Sequence, residues 1–471
     1  MAHQDQGWKA DQCSNAHDLR RVVRWLLAGV SLSGIAFRTD CTWTPRNLVS
    51  MGLLWAWSDE LTLLERFATA RKIIRSWLGK QHQPATSYQA FIKMLRKWTE
   101  PLLGVLRPAF RQRMIEGLAR AWTVEGWAVF AADGSKVDVP RTQNNEHRYS
   151  PKTKLARRAR KRPPGSRRRR SRQTSRERKA NVPRIWMTVL WHVGSGLPWN
   201  WRTGPSDSSE RGHLKEMLCS LPLRCLLTAD AGFVGYDLWK TILAEGHQLL
   251  VRVGSNVTLL KKLGYVRERN GLVYLWPDQQ AKKRQTPLVL RLVIASTGRH
   301  PVYLVTSILN ARTLSNRQIV AIYRRRWGIE VYYRHCKQTF QRRKLRSHNP
   351  DNAMVELHWS LLGMWAMGLH AHVYLVRQGI PPKRISFANT WRAYRRPMRE
   401  YKSRPDPGER LTELLDRAIL DPYQRKDKTS RDYPRKKQQH ATGPPTIRKA
   451  TRAQVQQAQH LKHKETRRLT A

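Results

Sequence analysis

Cys225-Leu-Leu-Thr-Ala-Asp230 is an apolar run that ends on an acid. A helix-patterned segment follows at Tyr236–Glu245, and a second apolar run at Gln248–Val253. A short apolar strand, a helix and another short apolar strand make the repeating unit of an α/β layer with parallel strands. Upstream, Trp127-Ala-Val-Phe-Ala-Ala-Asp133 repeats the design: an apolar strand, an aspartate, then Gly134 and Ser135. Ile185–Val193 and Leu197–Arg202 flank Gly194-Ser195-Gly196 and read as a hairpin. Ser208–Leu218 reads as a helix.

Both aspartates stand where an apolar strand runs out. Side chains there leave the core and face a crevice, which is where α/β sheets build their sites. An Asp-Gly pair can also be only a turn. Two such acids in one sheet weigh toward a site. Asp138 competes with Asp133 as the first carboxylate, and the apolar strand before Asp133 favours the latter.

The third element begins at Ser315-Asn-Arg-Gln318, a capping box that starts a helix near Asn316. At about 100° per residue, Tyr323, Arg326, Glu330 and Lys337 fall on one stripe roughly 60° wide. A phenol, two cations and a carboxylate suit a surface that meets metal and phosphate. The plainer alternative is a solvated face of ion pairs, although Trp327 and Ile329 would bury part of this helix. Three carboxylates, Asp133, Asp230 and Glu330, can hold two divalent cations roughly 3.5–4 Å apart for in-line phosphoryl displacement. Oxygen donors suit Mg2+ or Mn2+. Arg326, Lys337 and Tyr323 would then contact DNA phosphates.

Net charge agrees with a polyanionic partner. The 471 residues carry +54. Residues 152–184 hold 16 Lys/Arg against one acid, and residues 425–471 hold 14 against three. Without both, the remainder still carries +28. The folded body is basic, so Lys and Arg releasing counterions from nucleic acid is the natural reading.

The length exceeds one ordinary core. Residues 1–122 read as helices, with apolar residues at helical spacing in 19–30, 48–68 and 90–106. They are expected to be a DNA-binding domain or a helical scaffold. Residues 123–380 form the expected α/β domain. Within it, the basic run 152–184 is expected to be a disordered loop, and 254–307 a block of short strands inserted without helices. Residues 381–424 are expected to be helical, and the basic, Gln-rich 425–471 a disordered tail. Val355–Val376 is the most apolar stretch, but Glu356, His358, His370 and His372 mark it as a buried core helix rather than a membrane span. Five cysteines, with no CxxC, fit a reducing cytoplasm without disulfides or structural zinc.

Tyr323-x2-Arg326-x3-Glu330-x6-Lys337 resembles the signature of DDE transposases of the bacterial insertion-sequence-four type. Ala132-Asp133-Gly134-Ser135 and Ala229-Asp230-Ala-Gly232-Phe233 resemble that family's two aspartate regions. Leu345-Arg-Ser-His-Asn-Pro350 with Glu356-Leu357 resembles a downstream piece. The resemblance covers roughly residues 125–375. It implies an RNase H-like catalytic domain with a β insertion and Asp133, Asp230 and Glu330 as metal-binding catalytic residues. It further implies binding of transposon ends, strand cleavage and strand transfer, within a homodimeric synaptic complex in the bacterial cytoplasm. Some relatives flip a base during a hairpin step, for which Trp276 is a candidate platform, with a packing role as its alternative. The Arg-rich loop lies outside the shared pattern. A catalytically silent DNA-binding derivative and a structure-specific nuclease are the competing functions.

Overall fold

The computed structural model describes residues 15–78, 84, 86–152, 182–296, 301–399, 409–420 and 443–470. Its centre is one mixed sheet. The strands are β1 (Val129–Asp138), β2 (Arg184–His192), β3 (Leu197–Gly204), β4 (Leu226–Ala229), β5 (Gln248–Val253), β6 (Thr258–Lys261), β7 (Leu272–Leu275), β8 (Leu288–Ser296), β9 (Pro301–Thr306) and β10 (Thr446–Lys449). They run in the order β10-β6-β7-β8-β9-β5-β4-β1-β2-β3. The strands β1, β4 and β5 are parallel, and the hairpin β2–β3 adds antiparallel beside β1. The α/β expectation holds, and for the stated reason: Val129 to Ala132 and Leu226 to Ala229 are buried on both faces.

Two expectations about strands change. First, β1 continues to Asp138 because β2 pairs with it over its whole length, from Phe130↔His192 to Asp138↔Arg184. Only its parallel ladder with β4 stops at Ala132↔Ala229. Second, the 254–307 block extends the main sheet through β5↔β9. It also contains a short helix, Asp278–Lys282, where none was expected.

The helices Pro45–Trp57 and Tyr88–Gly117 pack against a long helix, Pro350–Arg377, and Leu63–Trp77 packs on Pro45–Trp57. This last is the apolar stretch of the sequence, and it is a core helix. Trp359 donates its indole N–H to Thr99 Oγ1 at 2.9 Å, and Trp57 donates to the Gly363 carbonyl at 2.8 Å. The N-terminal helices thus share one continuous core with this helix and the sheet. Among the described residues, no helix is long and apolar enough to cross a membrane. Cys41, Cys219, Cys225 and Cys336 are unpaired.

The C-terminal expectation needs correction. Residues 446–449 pair parallel with β6, and Arg452–Thr470 is a helix. Val455, Ala458 and Leu461 recur at helical spacing, and Ala458 is fully buried. Charge density in this segment masks a weak apolar stripe that suffices to dock it on an existing edge. Gln457 donates to the Ala281 carbonyl at 2.7 Å. Residues 421–442, and 153–181 of the Arg-rich run, lie outside the described residues.

Candidate active site

The register places the two aspartates together. Ala132 and Ala229 are partners in the last rung of the parallel β1–β4 ladder, so Asp133 and Asp230 are the next residue on each strand. Each carboxylate accepts a backbone N–H from a residue just after it. Gly134 N–H donates to Asp133 Oδ1 at 2.9 Å, and Gly232 N–H donates to Asp230 Oδ1 at 2.8 Å. Burial pushes the Asp133 carboxyl up to about 7, and the nearby charges of Asp230 and Glu330 add to the rise. Asp138 sits at the far end of β1, half-exposed and paired with Arg184 Nε at 3.0 Å. It is no rival for the centre.

Glu330 arrives from the other direction. The Ser315–Gln318 capping box forms as read, and a helix runs Asn316–Arg325. The chain then breaks at Arg326–Trp327, resumes as Gly328–Arg334, and widens into a π-helical turn at His335–Thr339. The continuous stripe drawn from the sequence is therefore two helices and a bulge, a form common at functional sites. The four residues still converge. Arg326 Nη2 donates to Glu330 Oε1 at 2.8 Å, and its guanidinium lies 5.4 Å from the centre of the Tyr323 ring. Lys337 Nζ donates to Ser135 Oγ at 2.6 Å, which joins the π turn to β1. Burial lowers the Lys337 pKa. Trp327 is 58% exposed rather than buried.

Several atoms here are buried without partners: Glu330 Oε2, and Arg326 Nε and Nη1. An orphaned carboxylate oxygen beside two further carboxylates fits a hard divalent cation in kind. Among the described residues, however, no three His, Cys, Asp or Glu side chains already stand together closely enough to hold a metal ion. Glu330 faces Arg326 instead. Burial raises the Glu330 pKa, and Arg326 opposes the rise.

Three features were not read from the sequence. Glu210 opens the helix Glu210–Met217. A methyl group built on Gly134 would lie 2.6 Å from Glu210 Oε1, and one on Gly232 would lie 3.6 Å from Oε2. Glu210 therefore lies against the glycines that follow both aspartates, its pKa raised by burial and then by Asp230. In sequence it is only an acid in a first helical turn, which the helix dipole explains. The second is Tyr333, whose hydroxyl reaches the Asp133 backbone. The third is Gly328, pressed against Trp191.

Trp276 is not in this group. It is 3% exposed and donates its indole N–H to the Gln285 carbonyl at 2.8 Å. It packs the interior, so its ring offers no face to a base. Glu356, in the downstream piece, is structural too. It accepts from the Arg346 and Ser347 backbone N–H groups and from the Ser347 hydroxyl.

The transposase DDE domain family model matches residues 128–365, which include all three carboxylates. Over 231 residues the chain is 26% identical to the transposase InsG of insertion sequence element IS4 from Escherichia coli K12. That match covers 46% of this chain and 51% of the relative, so the chain spans about half the length of the curated relative it matches. A cryo-EM structure of a piggyBac transposase synaptic complex with hairpin DNA covers 86% of this chain and 84% of that one, at 13% identity. Its TM-score is 0.39, and at that level the likeness decides nothing about fold or function.

Proposed function

The chain belongs to the transposase DDE domain family, and from that premise we propose that it is a DNA transposase of the insertion-sequence-four type. In this reading it binds transposon ends, cleaves there and joins the freed 3′-hydroxyl to target DNA. The observation that carries the reading is the adjacency of Asp133 and Asp230 beyond the Ala132↔Ala229 rung, facing an incompletely satisfied Glu330. The strand order β3-β2-β1-β4-β5, with its antiparallel hairpin and parallel remainder, supports an RNase H-like catalytic core.

Asp133, Asp230 and Glu330 would hold two Mg2+ or Mn2+ ions. When bound, such ions activate the attacking oxygen and stabilise the leaving one. The chain's own residues supply the rest. Arg326 turns from Glu330 toward a phosphate, giving its two orphaned donors an anionic partner. Tyr323 holds the guanidinium from its ring face. Lys337 fixes the π turn through Ser135 and offers charge to the scissile strand. DNA is the partner, and a homodimeric synapse would bring two ends together. The helices before residue 122 are proposed to contact the ends, with the strong net charge of +54 supplying affinity.

The deciding experiment mixes purified full chain with DNA carrying the ends that flank its own gene, with Mg2+ or chelator, beside Glu330→Gln. Nicking at the ends in wild type with metal, and in neither control, is the expected result. Tight binding without cleavage in Mg2+ would overturn the catalytic reading.

A further inference from the structure

The β7–β8 side of the sheet carries an unusual arginine. Arg291 lies in mid-β8, opposite Leu272 on β7 and Thr306 on β9. It is 7% exposed. One nitrogen, Nη2, donates to the Leu314 carbonyl. The other two, Nε and Nη1, are buried and have no hydrogen-bond partner. A buried guanidinium without an anion is costly, because its desolvation is not repaid. Burial accordingly pulls its pKa below the ordinary range.

Beside it lies a cavity of about 260 Å3, which Arg291 lines together with Arg267, Arg269 and Asn270, between apolar walls at Val266 and Leu309. That is room for several waters or one hydrated oxyanion. No acid lines it. The nearest carboxylate in sequence, Glu268, is engaged elsewhere: its Oε1 accepts from the Gly264 N–H at 3.0 Å and from the Tyr274 hydroxyl at 2.9 Å. Three arginines and an asparagine thus line one small concavity, and the most buried of the arginines lacks a counter-charge. The cavity is separate from the carboxylate centre. In the sheet, β8 stands three strands from β4, roughly 14 Å at about 4.8 Å per strand.

We propose that this cavity is a phosphate-binding site. Arg267 and Arg269 supply charge to a tetrahedral oxyanion in the cavity, and a shift of the Arg291 side chain brings its inaccessible Nε and Nη1 donors to the same anion. The phosphate has two possible sources. One is a backbone phosphodiester of bound DNA, which rests on the transposase reading. The other is free inorganic phosphate, which does not.

The test is arginine-selective labelling of the full chain with phenylglyoxal, read by peptide mass spectrometry. Samples contain chloride, inorganic phosphate at matched ionic strength, or a short mixed-sequence duplex. The exposed Arg120 and Arg224 serve as internal controls. Phosphate is expected to slow labelling of Arg267 and Arg269 by roughly fivefold or more near saturation, with the controls unchanged. In Arg291→Met that protection is expected to vanish. The wild-type comparison stands alone if this variant does not fold. Protection by duplex as well assigns the backbone source. Protection by phosphate only assigns the free anion. Equal protection of the controls, or none at Arg267 and Arg269, overturns the site. End cleavage is scored on the same preparation, so failure of the cavity and failure of the transposase reading are told apart.

Discussion

The Tyr333 hydroxyl donates a hydrogen bond to the backbone carbonyl of Asp133 at 2.6 Å. It ties the helix that carries Glu330 to the strand that carries the first aspartate, and the phenol is buried. Two carboxylates proposed to share a cation are thereby held by a bond belonging to neither.

Tyr333→Phe removes that bond and little volume. Its expected cost is about 1 kcal/mol of stability. Cleavage of end DNA should fall further, about tenfold or more, because small misplacements of catalytic groups are expensive. Denaturant melts and initial cleavage rates, compared side by side, check this. Equal losses in both would reduce Tyr333 to a packing residue.

Gly328 is a point of close approach between the Glu330 helix and the sheet. A methyl group there would stand 2.0 Å from the Trp191 ring, which is buried on β2. Gly328→Ala must push the helix outward or displace the indole. Overpacking of this kind costs about 1–3 kcal/mol. It should also move Glu330 and abolish cleavage. Trp191→Leu in the Gly328→Ala background makes room and is expected to restore part of both. A double variant no better than the single one would locate the defect elsewhere.

Asp133 titrates near 7 when folded because of its burial, against about 3.9 in an unfolded chain. Between those values the folded state holds the extra proton. Its contribution to stability is therefore complete below about pH 4 and is lost as pH rises through 7. In chelator, Asp133→Asn should make the protein more stable at pH 8, by on the order of 1–4 kcal/mol. The same variant should gain nothing from added Mg2+. Thermal melts at pH 8, with chelator and with Mg2+, measure both. A variant less stable than wild type in chelator would show that the ionised carboxylate is well accommodated.

Much of this site was legible because its parts are local. An apolar strand followed by an acid is a short pattern, and Asp133 and Asp230 stand next to each other because two such strands pair in parallel. The capping box at Ser315 likewise needs only four residues. What escaped depends on distance. Glu210 matters only because β3 returns its helix to Gly134, and Tyr333 only because β1 passes beneath it. The C-terminal strand Thr446–Lys449 depends on β6 offering an open edge. Trp276, for which the resemblance offered a base platform and packing was the alternative, packs: Gln285, nine residues on, accepts its N–H.

Four histidines govern the acid side. His192, His370 and His372 are depressed to about 4 and His358 to about 3, in each case chiefly by burial. His358 accepts from Trp201 Nε1 at 2.9 Å through Nδ1, and its Nε2 faces Glu100 at 3.2 Å. This arrangement suits a neutral ring that donates from Nε2. His192 Nε2 faces the Trp122 carbonyl at 2.9 Å, again a donor position in the neutral ring. A depressed histidine contributes stability that is complete above about pH 6.5 and is lost as pH falls toward its folded value. Four groups, each worth about 3–5 kcal/mol when fully developed, act against the raised carboxyls of Asp133, Glu210 and Glu330 and rival a domain's whole stability of about 5–15 kcal/mol. Unfolding is therefore expected between pH 6.5 and 4, followed by far-UV circular dichroism. His372 presents Nδ1 to the Ser195 carbonyl at 2.8 Å, and the amide of His372→Asn can donate from the same place without titrating. That variant should unfold at lower pH than wild type. An unchanged midpoint would mean that protonation of His372 does not contribute to acid unfolding.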